Sequence, residues 1–299
     1  MLPSINGVEI DDTFAEAFGM WGSRVIITAI NRKWAREAAT KMTGFATSVI
    51  ACGCEAGIES DLEDTPDGRP GVSVLLFATT KDRLAQHLID RLGQCVLTCA
   101  TTACFNGLQS DDQIPIGGRL RFFGDTFQIS KVVAGRRYWR IPVMEGEFLV
   151  EEKFGTQHAI GGGNFLILGS ALPVTLMAAE LAVEAMQGSP GIILPFPGGI
   201  VRSGSKVGSR YKFLRASTND AYCPGLRSLV DTALPEGVNT VFEIVIDGLN
   251  AEAIERAIRA GALAACIPGI RRITAGNYGG NLGKFHFHLH KILQEALPA

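Results

Sequence analysis

Apolar residues recur along this chain with two spacings, one of two residues and one of three to four. Alternation of apolar and polar positions is typical of strands, and apolar residues at helical spacing indicate amphipathic helices. Leu84, Leu88 and Leu92 show the helical spacing in the first half of the chain, and Ile254 and Ile258 show it in the second. These patterns predict four β-α-β units.

The four predicted units follow one another along the chain. The first two comprise a strand at residues 23–30, a helix at 32–43 and a strand at 46–52, then a strand at 72–78, a helix at 82–93 and a strand at 96–101. The last two comprise a strand at 164–168, a helix at 174–187 and a strand at 192–195, then a strand at 240–247, a helix at 251–265 and a strand at 271–275. Asn250 is positioned to cap the last helix.

Two β-α-β units in tandem form one ferredoxin-like half, so four units predict an α+β fold of two similar lobes related by duplication. Residues 136–154 are predicted to form an extended connecting strand, which sets the boundary near Val150, between an N-terminal lobe at 1–150 and a C-terminal lobe at 151–299. Glycine runs at 204–208 and 279–283 share a spacing and precede predicted aromatic strands at 211–214 and 285–289. This local similarity also suggests a duplication.

Composition and charge narrow the class of protein. With 299 residues, 46% of them hydrophobic and 19% charged, the chain has enough apolar material for two globular domains. A net charge of −2 gives no electrostatic footprint for nucleic acid, and no cluster of Lys and Arg indicates an anionic membrane. The most apolar stretch, at 165–186, contains Pro173 and two glutamates, and fits a strand followed by a helix better than a membrane span. A soluble protein with small-molecule ligands is expected.

The N-terminal sequence and the cysteines both indicate a cytoplasmic protein. Glu9, Asp11 and Asp12 interrupt the N-terminus before an apolar signal-peptide core could form. The seven cysteines cannot all pair, and no two of them have the spacing of a CxxC motif or a zinc knuckle. We expect reduced thiols, most of them in the core, because free cysteine is among the most buried residue types.

Glu243 is an isolated carboxylate in an apolar strand. Phe242, Ile244 and Ile246 alternate onto one face of the predicted strand at 240–247, which leaves Glu243 on the other face. Burial of a carboxylate is costly unless it is partnered or kept neutral. A partly buried carboxyl with a raised pKa would exchange a proton near neutral pH, so Glu243 is the candidate catalytic residue. The alternative is an edge strand on which Glu243 faces solvent.

Two further patterns invite a metal or nucleotide interpretation. His286, His288 and His290 alternate along a predicted strand, which would put three imidazoles on one face, but ligands about 7 Å apart are too widely spaced for one tetrahedral ion. The glycine run at 279–283 lacks the Ser or Thr of a P-loop and precedes a strand rather than a helix. The run at 161–163 precedes a strand, whereas a dinucleotide fingerprint follows one. The sequence predicts no metal site.

The densest run of Gly, Pro, Ser and Asn lies at residues 195–224. Such a segment has a rigid backbone with many exposed N–H groups and hydroxyls, which suits a substrate-binding wall, and a plain surface loop is the alternative. The candidate binding residues are Phe196, Gly198, Gly199, Ser205, Lys206, Asn219 and Tyr222, together with Asn277 in a second glycine-rich run. Lys206, with Arg202 and Arg210, would bind carboxylates or phosphate on a substrate tail, unless these cations are only solvated.

Five segments carry a resemblance to a known family. DDTFAEAF at 11–18, TPDGRPG at 65–71, PFPGGIV at 195–201, STNDAYCP at 217–224 and AGNYGG at 275–280 resemble formylmethanofuran:tetrahydromethanopterin formyltransferase, and the resemblance extends over essentially the whole chain. It implies two similar α/β lobes and reversible transfer of a formyl group between the amine of methanofuran and N5 of tetrahydromethanopterin, or its dephospho form. The two carriers are then co-substrates in one-carbon metabolism, either methanogenesis or formaldehyde oxidation, and no prosthetic group or metal is required.

The resemblance also implies roles and partners. Glu243 matches the family's strand-borne carboxylate in the substrate cleft and would move a proton between the attacking and leaving nitrogens, through a ternary complex and a tetrahedral intermediate. A homotetramer is expected, as in the family. The lack of an acidic excess favours a bacterial subunit of a formyltransferase/hydrolase complex, whose partner is an amidohydrolase. The alternatives are a non-catalytic scaffold subunit and a metal-dependent hydrolase that uses the histidines.

Overall fold

The computed structural model of the protein describes residues 4–294. Its helices are α1 Arg32–Thr43, α2 Val49–Cys52, α3 Lys81–Arg91, α4 Ile116–Leu120, α5 Leu172–Met186, α6 Ala251–Ala265 and α7 Leu289–Gln294. Its strands are β1 Ser4–Ile5, β2 Val8–Ile10, β3 Phe14–Thr28, β4 Glu55–Leu62, β5 Gly71–Ala78, β6 Ala103–Asn106, β7 Gln113–Ile114, β8 Ile129–Val133, β9 Arg136–Val143, β10 Gly146–Glu151, β11 Phe154–Gly155, β12 Gln157–Gly169, β13 Ile192–Ile193, β14 Lys206–Val207, β15 Ala216–Ser217, β16 Thr240–Gly248, β17 Ile270–Thr274 and β18 Phe285–His288.

Two halves of the chain share one topology. In the first half the chain runs β3-α1-β4-β5-α3-β6, and the strands lie side by side in the order β6-β3-β5-β4. In the second half it runs β12-α5-β13-β16-α6-β17, with the order β17-β12-β16-β13. Each half is therefore a βαββαβ ferredoxin-like unit with its fourth, first, third and second strands in that spatial order. This confirms the predicted α+β fold of two similar lobes.

Two predicted helices, α1 and α6, have the bounds that the sequence indicates, because both begin at a clear capping residue. The side chain of Asn31 accepts a hydrogen bond from the Trp34 N–H at 3.2 Å, and Asn250 accepts one from the Ala253 N–H at 2.9 Å. The predicted cap at Asn250 is thus confirmed. These caps pair backbone N–H groups that the first helical turn leaves without an internal acceptor.

The second strand of each of the first two units was predicted in the wrong place. Within residues 46–52 only Val49–Cys52 form an element, the short helix α2. Ser48 begins this helix, since its hydroxyl accepts the Ile50 N–H, and the strand is β4. Residues 96–101 continue from α3 through a π-helical turn, in which the Leu97 N–H bonds to Leu92 O, and the strand is β6. Short apolar runs do not by themselves distinguish a strand from a buried helical turn.

Two other predicted strands differ from the structure. Residues 136–154 form a hairpin of β9 and β10, followed by β11, rather than one connecting strand. Residues 211–214 form no strand, and the rings of Tyr211 and Phe213 are exposed, whereas β14 and β15 form a small hairpin around this turn. The glycine run at 204–208 leads into a turn here, and among residues 4–294 no strand pairs with residues 211–214.

The long strands β3 and β12 join two hydrophobic cores. They pair with each other antiparallel, from Gln157 opposite Gly22 to Gly161 opposite Phe18. One core is built from residues between 25 and 154, and the other from residues 160–293 together with residues 5–17. Residues 5–17 thus pack with the second half of the chain, and the boundary near Val150 stays a prediction.

Across residues 4–294 the structure contains no helix that is both long enough and apolar enough to cross a membrane.

Candidate functional site

Glu243 lies in the middle of β16, and its backbone pairs with a neighbouring segment on each side. Leu166 of β12 is its register partner on one side. On the other side the Val201 N–H donates to Glu243 O at 2.8 Å, and the Glu243 N–H donates to Val201 O at 3.0 Å. Ile244 and Ile246 point into the core as the alternation predicts. The edge-strand alternative for Glu243 is therefore wrong.

The Glu243 side chain lies between two adjoining cavities. The larger, of about 490 Å³, is lined by Glu16, Phe18, Gly19, Met20, Ser48, Val49, Ile50, Glu55, Thr79, Gly161, Gly162, Asn164, Phe196, Ser205, Glu243, Val245 and Tyr278. The smaller, of about 130 Å³, is lined by Leu166, Val201, Arg202, Ser203, Gly204, Asn219, Tyr222, Cys223, Pro224, Val241 and Glu243. We call them the large and the small cavity. Burial of the carboxyl raises the pKa of Glu243 to about 7, which suits exchange of a proton at neutral pH.

The predicted binding residues at 195–224 that line a cavity are spread over three different cavities. Phe196 and Ser205 line the large cavity, and Asn219 and Tyr222 line the small one. Gly198 and Gly199 line a third cavity of about 570 Å³, beside Arg36 and Asp61. The structure therefore brings Glu243 together with four of the predicted binding residues but not with the glycine pair.

Lys206 and Asn277 make contacts within the protein. The Lys206 ammonium donates to both oxygens of Asp220, at 2.6 and 2.7 Å. The Asn277 amide donates to Thr13 Oγ1 at 3.1 Å and to Phe14 O at 3.2 Å, while its oxygen accepts the Gly279 N–H at 3.1 Å. Asn277 thereby ties the glycine-rich segment at 275–283 to the start of β3.

The buried carboxylate of Glu16 organises the same segment, and the sequence analysis missed it. It accepts backbone N–H groups from Tyr278 at 2.6 Å, Gly280 at 2.9 Å, Leu282 at 2.6 Å and Gly283 at 2.5 Å. Burial alone would raise the pKa of Glu16, but these four hydrogen bonds outweigh it and lower the pKa to about 2. Glu16 is therefore ionised and fixes the loop.

Tyr278 is the residue of this loop that lines the large cavity. Burial, with the nearby charges of Glu243 and Glu16, raises the pKa of its hydroxyl, so the proton is retained. Its ring lies 6.3 Å from that of Phe18 between centroids. Its position next to Asn277 in a glycine-rich run was the one signal in the sequence that could have identified it.

The third carboxyl group that lines the large cavity, Glu55, was not identified from the sequence either. It meets Asp247 of β16, which lies on the same face of the strand as Glu243, four residues along. Both carboxyls are buried and both have raised pKa values, each chiefly because of burial. The sequence could have indicated Asp247, because its spacing from Glu243 places both on one face of the strand. Nothing in the sequence around Glu55 indicates its contact with Asp247.

A cavity of about 530 Å³ adjoins the large one and is lined by Val49, Ile50, Ala51, Gly53, Thr79, Arg83, Gln86, His87 and Arg215. We call it the arginine cavity. Val49, Ile50 and Thr79 line both cavities. Arg83 and Arg215 bring two positive charges to it, and no carboxylate is among its lining residues. Burial and the neighbouring Arg91 lower the pKa of His87, which favours its neutral form.

The histidine strand is only partly present. His286 and His288 lie in β18, but His290 lies in α7, where its Nε2 is 2.8 Å from Ile10 O, so the three imidazoles do not share one strand face. Among residues 4–294 there is no cluster of three or more His, Cys, Asp or Glu side chains that could hold a metal ion. All seven cysteines are free thiols.

Comparisons with known proteins give a consistent result. The family profile described as formylmethanofuran-tetrahydromethanopterin formyltransferase matches residues 3–143, and the one described as its proximal lobe matches residues 146–292. The chain is 61% identical to a formylmethanofuran–tetrahydromethanopterin formyltransferase from Methylococcus capsulatus, over 97% of this chain and 99% of that protein. It is 52% identical to one subunit of a formyltransferase/hydrolase complex from Methylorubrum extorquens, over 98% of this chain and 98% of that subunit.

Two solved structures are similar over nearly the full length. The formyltransferase from Methanosarcina barkeri has a TM-score of 0.93 and 50% identity, over 97% of this chain and 100% of that one. The Methylorubrum extorquens formyltransferase/hydrolase complex, solved with methylofuran, has a TM-score of 0.95 and 52% identity, over 97% and 98% of the two chains.

Proposed function

The chain belongs to the formylmethanofuran–tetrahydromethanopterin formyltransferase family, and we propose that it transfers a formyl group reversibly between the amine of methanofuran and N5 of tetrahydromethanopterin or its dephospho form. The observation that carries this proposal is that Glu243 lines two adjoining cavities, where burial raises the pKa of its carboxyl to about 7. The non-catalytic scaffold alternative is not favoured, because the high-identity relatives are named as formyltransferases.

The proposed chemistry is direct transfer from one amine to another. The attacking nitrogen adds to the formyl carbon and gives a tetrahedral intermediate with a negative oxygen. Glu243 takes the proton from the attacking nitrogen and returns it to the leaving nitrogen, so that the C–N bond breaks and a neutral amine departs. A carboxyl with a pKa near the working pH suits both halves of this exchange, because neither proton transfer is strongly uphill.

Two carriers must bind at once for this reaction, and two cavities on either side of Glu243 support a ternary complex. The small cavity would accept a reacting end of one carrier between Asn219 and Tyr222, while Phe196 provides an apolar wall for the other carrier in the large cavity. The carboxyl of Glu243 then lies within reach of both nitrogens.

Hydroxyl groups in the large cavity would stabilise the negative oxygen of the intermediate. Ser205 and the protonated Tyr278 are the candidate donors, since both line this cavity with Glu243. Glu16 supports this role from behind, because it fixes the backbone of Tyr278 itself. Donors that are held in place before the reaction stabilise the developing charge without a cost of reorganisation.

The remaining predicted binding residues, Gly198, Gly199, Lys206 and Asn277, stay proposals as carrier contacts. For the acidic tail of a carrier, the arginine cavity offers a further binding site. Arg83 and Arg215 are exposed cations, and no carboxylate of residues 4–294 lines that cavity with them. The arginine cavity shares Val49, Ile50 and Thr79 with the large cavity. Arginine binds carboxylates and phosphates through parallel hydrogen bonds.

We further propose that the enzyme is a homotetramer, as the sequence predicts. Two exposed apolar surfaces support an assembly. The first lies on the segment that ends in the outermost strand, β8, and comprises Phe122, Phe123, Phe127, Ile129, Val132 and Val133. The second lies on α5 and comprises Leu172, Leu176, Met177 and Leu181. Contiguous exposed apolar patches are typical of protein–protein contacts, and an unpaired edge strand needs covering.

An amidohydrolase is the proposed hetero-partner, because a relative with 52% identity is a subunit of a formyltransferase/hydrolase complex. The cytoplasm is the proposed compartment, which agrees with seven free cysteines. The deciding experiment is an assay of the purified, chelator-treated protein with formylmethanofuran and tetrahydromethanopterin, alone and with amidohydrolase subunits. Formation of formyl-tetrahydromethanopterin is expected, and its absence under both conditions would contradict the proposed function.

A further inference from the structure

Glu55 and Asp247 meet as two buried carboxyl groups beside the large cavity. Asp247 is completely buried in β16, and Glu55 at the start of β4 is 6% exposed. Each belongs to a different ferredoxin-like half, so the contact joins the two halves of the molecule. The functional meaning of this contact rests on the proposed function, since Glu55 lines the cavity that we assign to a carrier.

Each carboxyl holds one part of the cavity wall through its first oxygen. Asp247 Oδ1 accepts the Gly162 N–H at 3.0 Å, and Glu55 Oε1 accepts the Val49 N–H at 2.9 Å. Gly162 has a φ of 84° and lies where the pairing of β12 with β16 is irregular. Gly162 and Val49 both line the large cavity.

The second oxygens, Glu55 Oε2 and Asp247 Oδ2, are buried and receive no hydrogen bond from an N–H or hydroxyl group of residues 4–294. The two carboxyl groups are themselves hydrogen-bond partners. A hydrogen bond between two carboxyl groups requires a proton on one of them. A buried polar atom left without any partner is costly, and a shared proton removes that cost for both oxygens.

Charge repulsion identifies the group that holds the proton. Burial, the negative charge of Glu55 and the hydrogen bond to Glu55 all raise the pKa of Asp247 well above its usual value. Burial also raises the pKa of Glu55, but the hydrogen bonds from Asp247 and from the Val49 N–H act in the opposite direction and favour its ionised form. From β12, Asp247 accepts the Gly162 N–H. The other acids that line the large cavity are Glu243 on the same strand and Glu16 on β3.

We propose that Glu55 and Asp247 share one proton at neutral pH, with Asp247 as the donor, and that the pair positions Val49 and Gly162 in the wall of the large cavity. Both are positioning residues: they act through the backbone that they hold rather than on the reacting atoms. Loss of the shared proton would leave two adjacent buried negative charges and separate the two walls.

Amide substitutions test the shared proton directly. In Asp247→Asn the side-chain oxygen still accepts from Gly162, and the amide N–H donates to Glu55. In Glu55→Gln the oxygen still accepts from Val49, and the amide N–H donates to an ionised Asp247. Each single variant should keep its thermal midpoint at pH 7. The double variant turns two amide N–H₂ groups toward each other, so its loss of stability should far exceed the sum of the single effects. Additive effects, or a double variant as stable as either single one, would overturn the proposal.

The pH dependence of stability provides a second test that needs no substrate. Because the pKa of Asp247 is raised on folding, its contribution to stability is complete below about pH 4, the value of an unfolded aspartate, and is lost as pH rises toward the folded pKa. The wild type should therefore lose stability relative to Asp247→Asn as pH rises above about 4. The exposed carboxyl variant Asp64→Asn is the matched control and should track the wild type. A constant difference between wild type and Asp247→Asn would contradict the shared proton.

The positioning role is tested by rescue. Asp247→Leu fills a similar volume without a hydrogen-bonding group, so kcat/KM should fall by about tenfold or more, and Asp247→Asn should recover most of that loss. Equal loss in both variants would remove the positioning role. If Asp247→Leu does not fold, the stability measurements above still decide the proposal. Formyl transfer by the wild type is assayed separately, so failure of the proposed function is distinguishable from failure of this inference.

Discussion

The Glu16 carboxylate accepts the backbone N–H of Tyr278 at 2.6 Å, although the two residues are 262 positions apart in the chain. Three more N–H groups of the following loop bind the same carboxylate. This contact fixes the backbone of a residue whose hydroxyl shares the large cavity with Glu243. The geometry of the candidate site therefore depends on an ionised side chain at the start of β3, for which the pattern of apolar and polar residues indicates no catalytic role.

Glu243→Gln should lower kcat far more than it raises KM for either carrier. The amide preserves the shape of the carboxyl but cannot exchange the proton, a step worth about 10²–10⁴-fold. Steady-state kinetics with formylmethanofuran and tetrahydromethanopterin varied in turn would measure both parameters. Glu252→Gln, an exposed change at the start of α6, is the control. Unchanged turnover in Glu243→Gln would remove this residue from the chemistry.

The rate should depend on pH through an ionisation near 7. Because burial raises the pKa of Glu243 to about 7, the carboxyl is protonated below that value and cannot accept the proton of the attacking nitrogen. We expect the rate of the wild type to fall about tenfold per pH unit on the acid side of 7. The Glu243→Gln variant should lack this limb. A limb that persists in the variant with the same midpoint would assign it to another group.

Glu16→Gln should destabilise the protein by about 2–4 kcal/mol at pH 7, because one amide oxygen replaces two carboxylate oxygens that accept four N–H groups. Since the folded pKa of about 2 is below the unfolded value, the stabilisation by Glu16 is complete above the unfolded pKa and is lost as pH falls toward 2. Urea unfolding at pH 7 and at pH 3 would show the wild-type advantage shrinking. An equal advantage at both values would contradict the assignment.

Arg83→Gln and Arg215→Gln should raise KM for one carrier by about tenfold each, with little effect on kcat, if the arginine cavity binds an acidic tail. Added salt should weaken wild-type binding and narrow the difference, because the contact is exposed. Arg256→Gln, an exposed arginine of α6 outside this cavity, is the control. Whichever carrier shows the increase is the one whose tail binds there, and unchanged KM for both would reject the site.

Charge placed on the apolar segment before β8 should dissociate the assembly. The double variant Phe123→Asp/Phe127→Asp buries two carboxylates in the proposed subunit contact, which is unfavourable without partners. Light scattering should give the wild type a multiple of the 32.0 kDa subunit mass and the variant a smaller mass. Phe45→Asp, at an exposed position elsewhere, is the control. A wild type that is active alone as a monomer would contradict the homotetramer.

Local sequence determined the helices α1 and α6 and the strand β16. Asn31 and Asn250 begin α1 and α6, and strong amphipathic spacing extends each helix, so the information lies within one element. The same holds for β16, where alternation alone separates Glu243 from the buried Ile244 and Ile246. Periodicity is a local property, and elements with a strong period are therefore recovered from sequence alone.

Tertiary structure decided the remainder of the fold. Residues 49–52 of the apolar run at 46–52 form α2, and it is β4, beginning at Glu55, that pairs with β5. Residues 5–17 join the second core through pairing of β2 with β17 and of β3 with β18, contacts that span more than 250 positions. Pairing partners at such separations leave no periodic signal in either segment.

Some residues of the candidate site could also be identified from the sequence, and others only from the structure. Glu243, Phe196, Ser205, Asn219 and Tyr222 could be nominated from sequence, because a lone carboxylate in an apolar strand and a glycine-rich wall are unusual in themselves. Glu16, Glu55, Asp247 and Tyr278 acquire their roles only when strands from both halves bring them together, since a carboxyl's pKa is set by burial and by the N–H groups or acids that face it. The sequence alone thus determined the elements with a strong period, such as α1, α6 and β16, and which carboxylate is unusual. Only the folded chain decided which acids meet, which are ionised and which cavities they line.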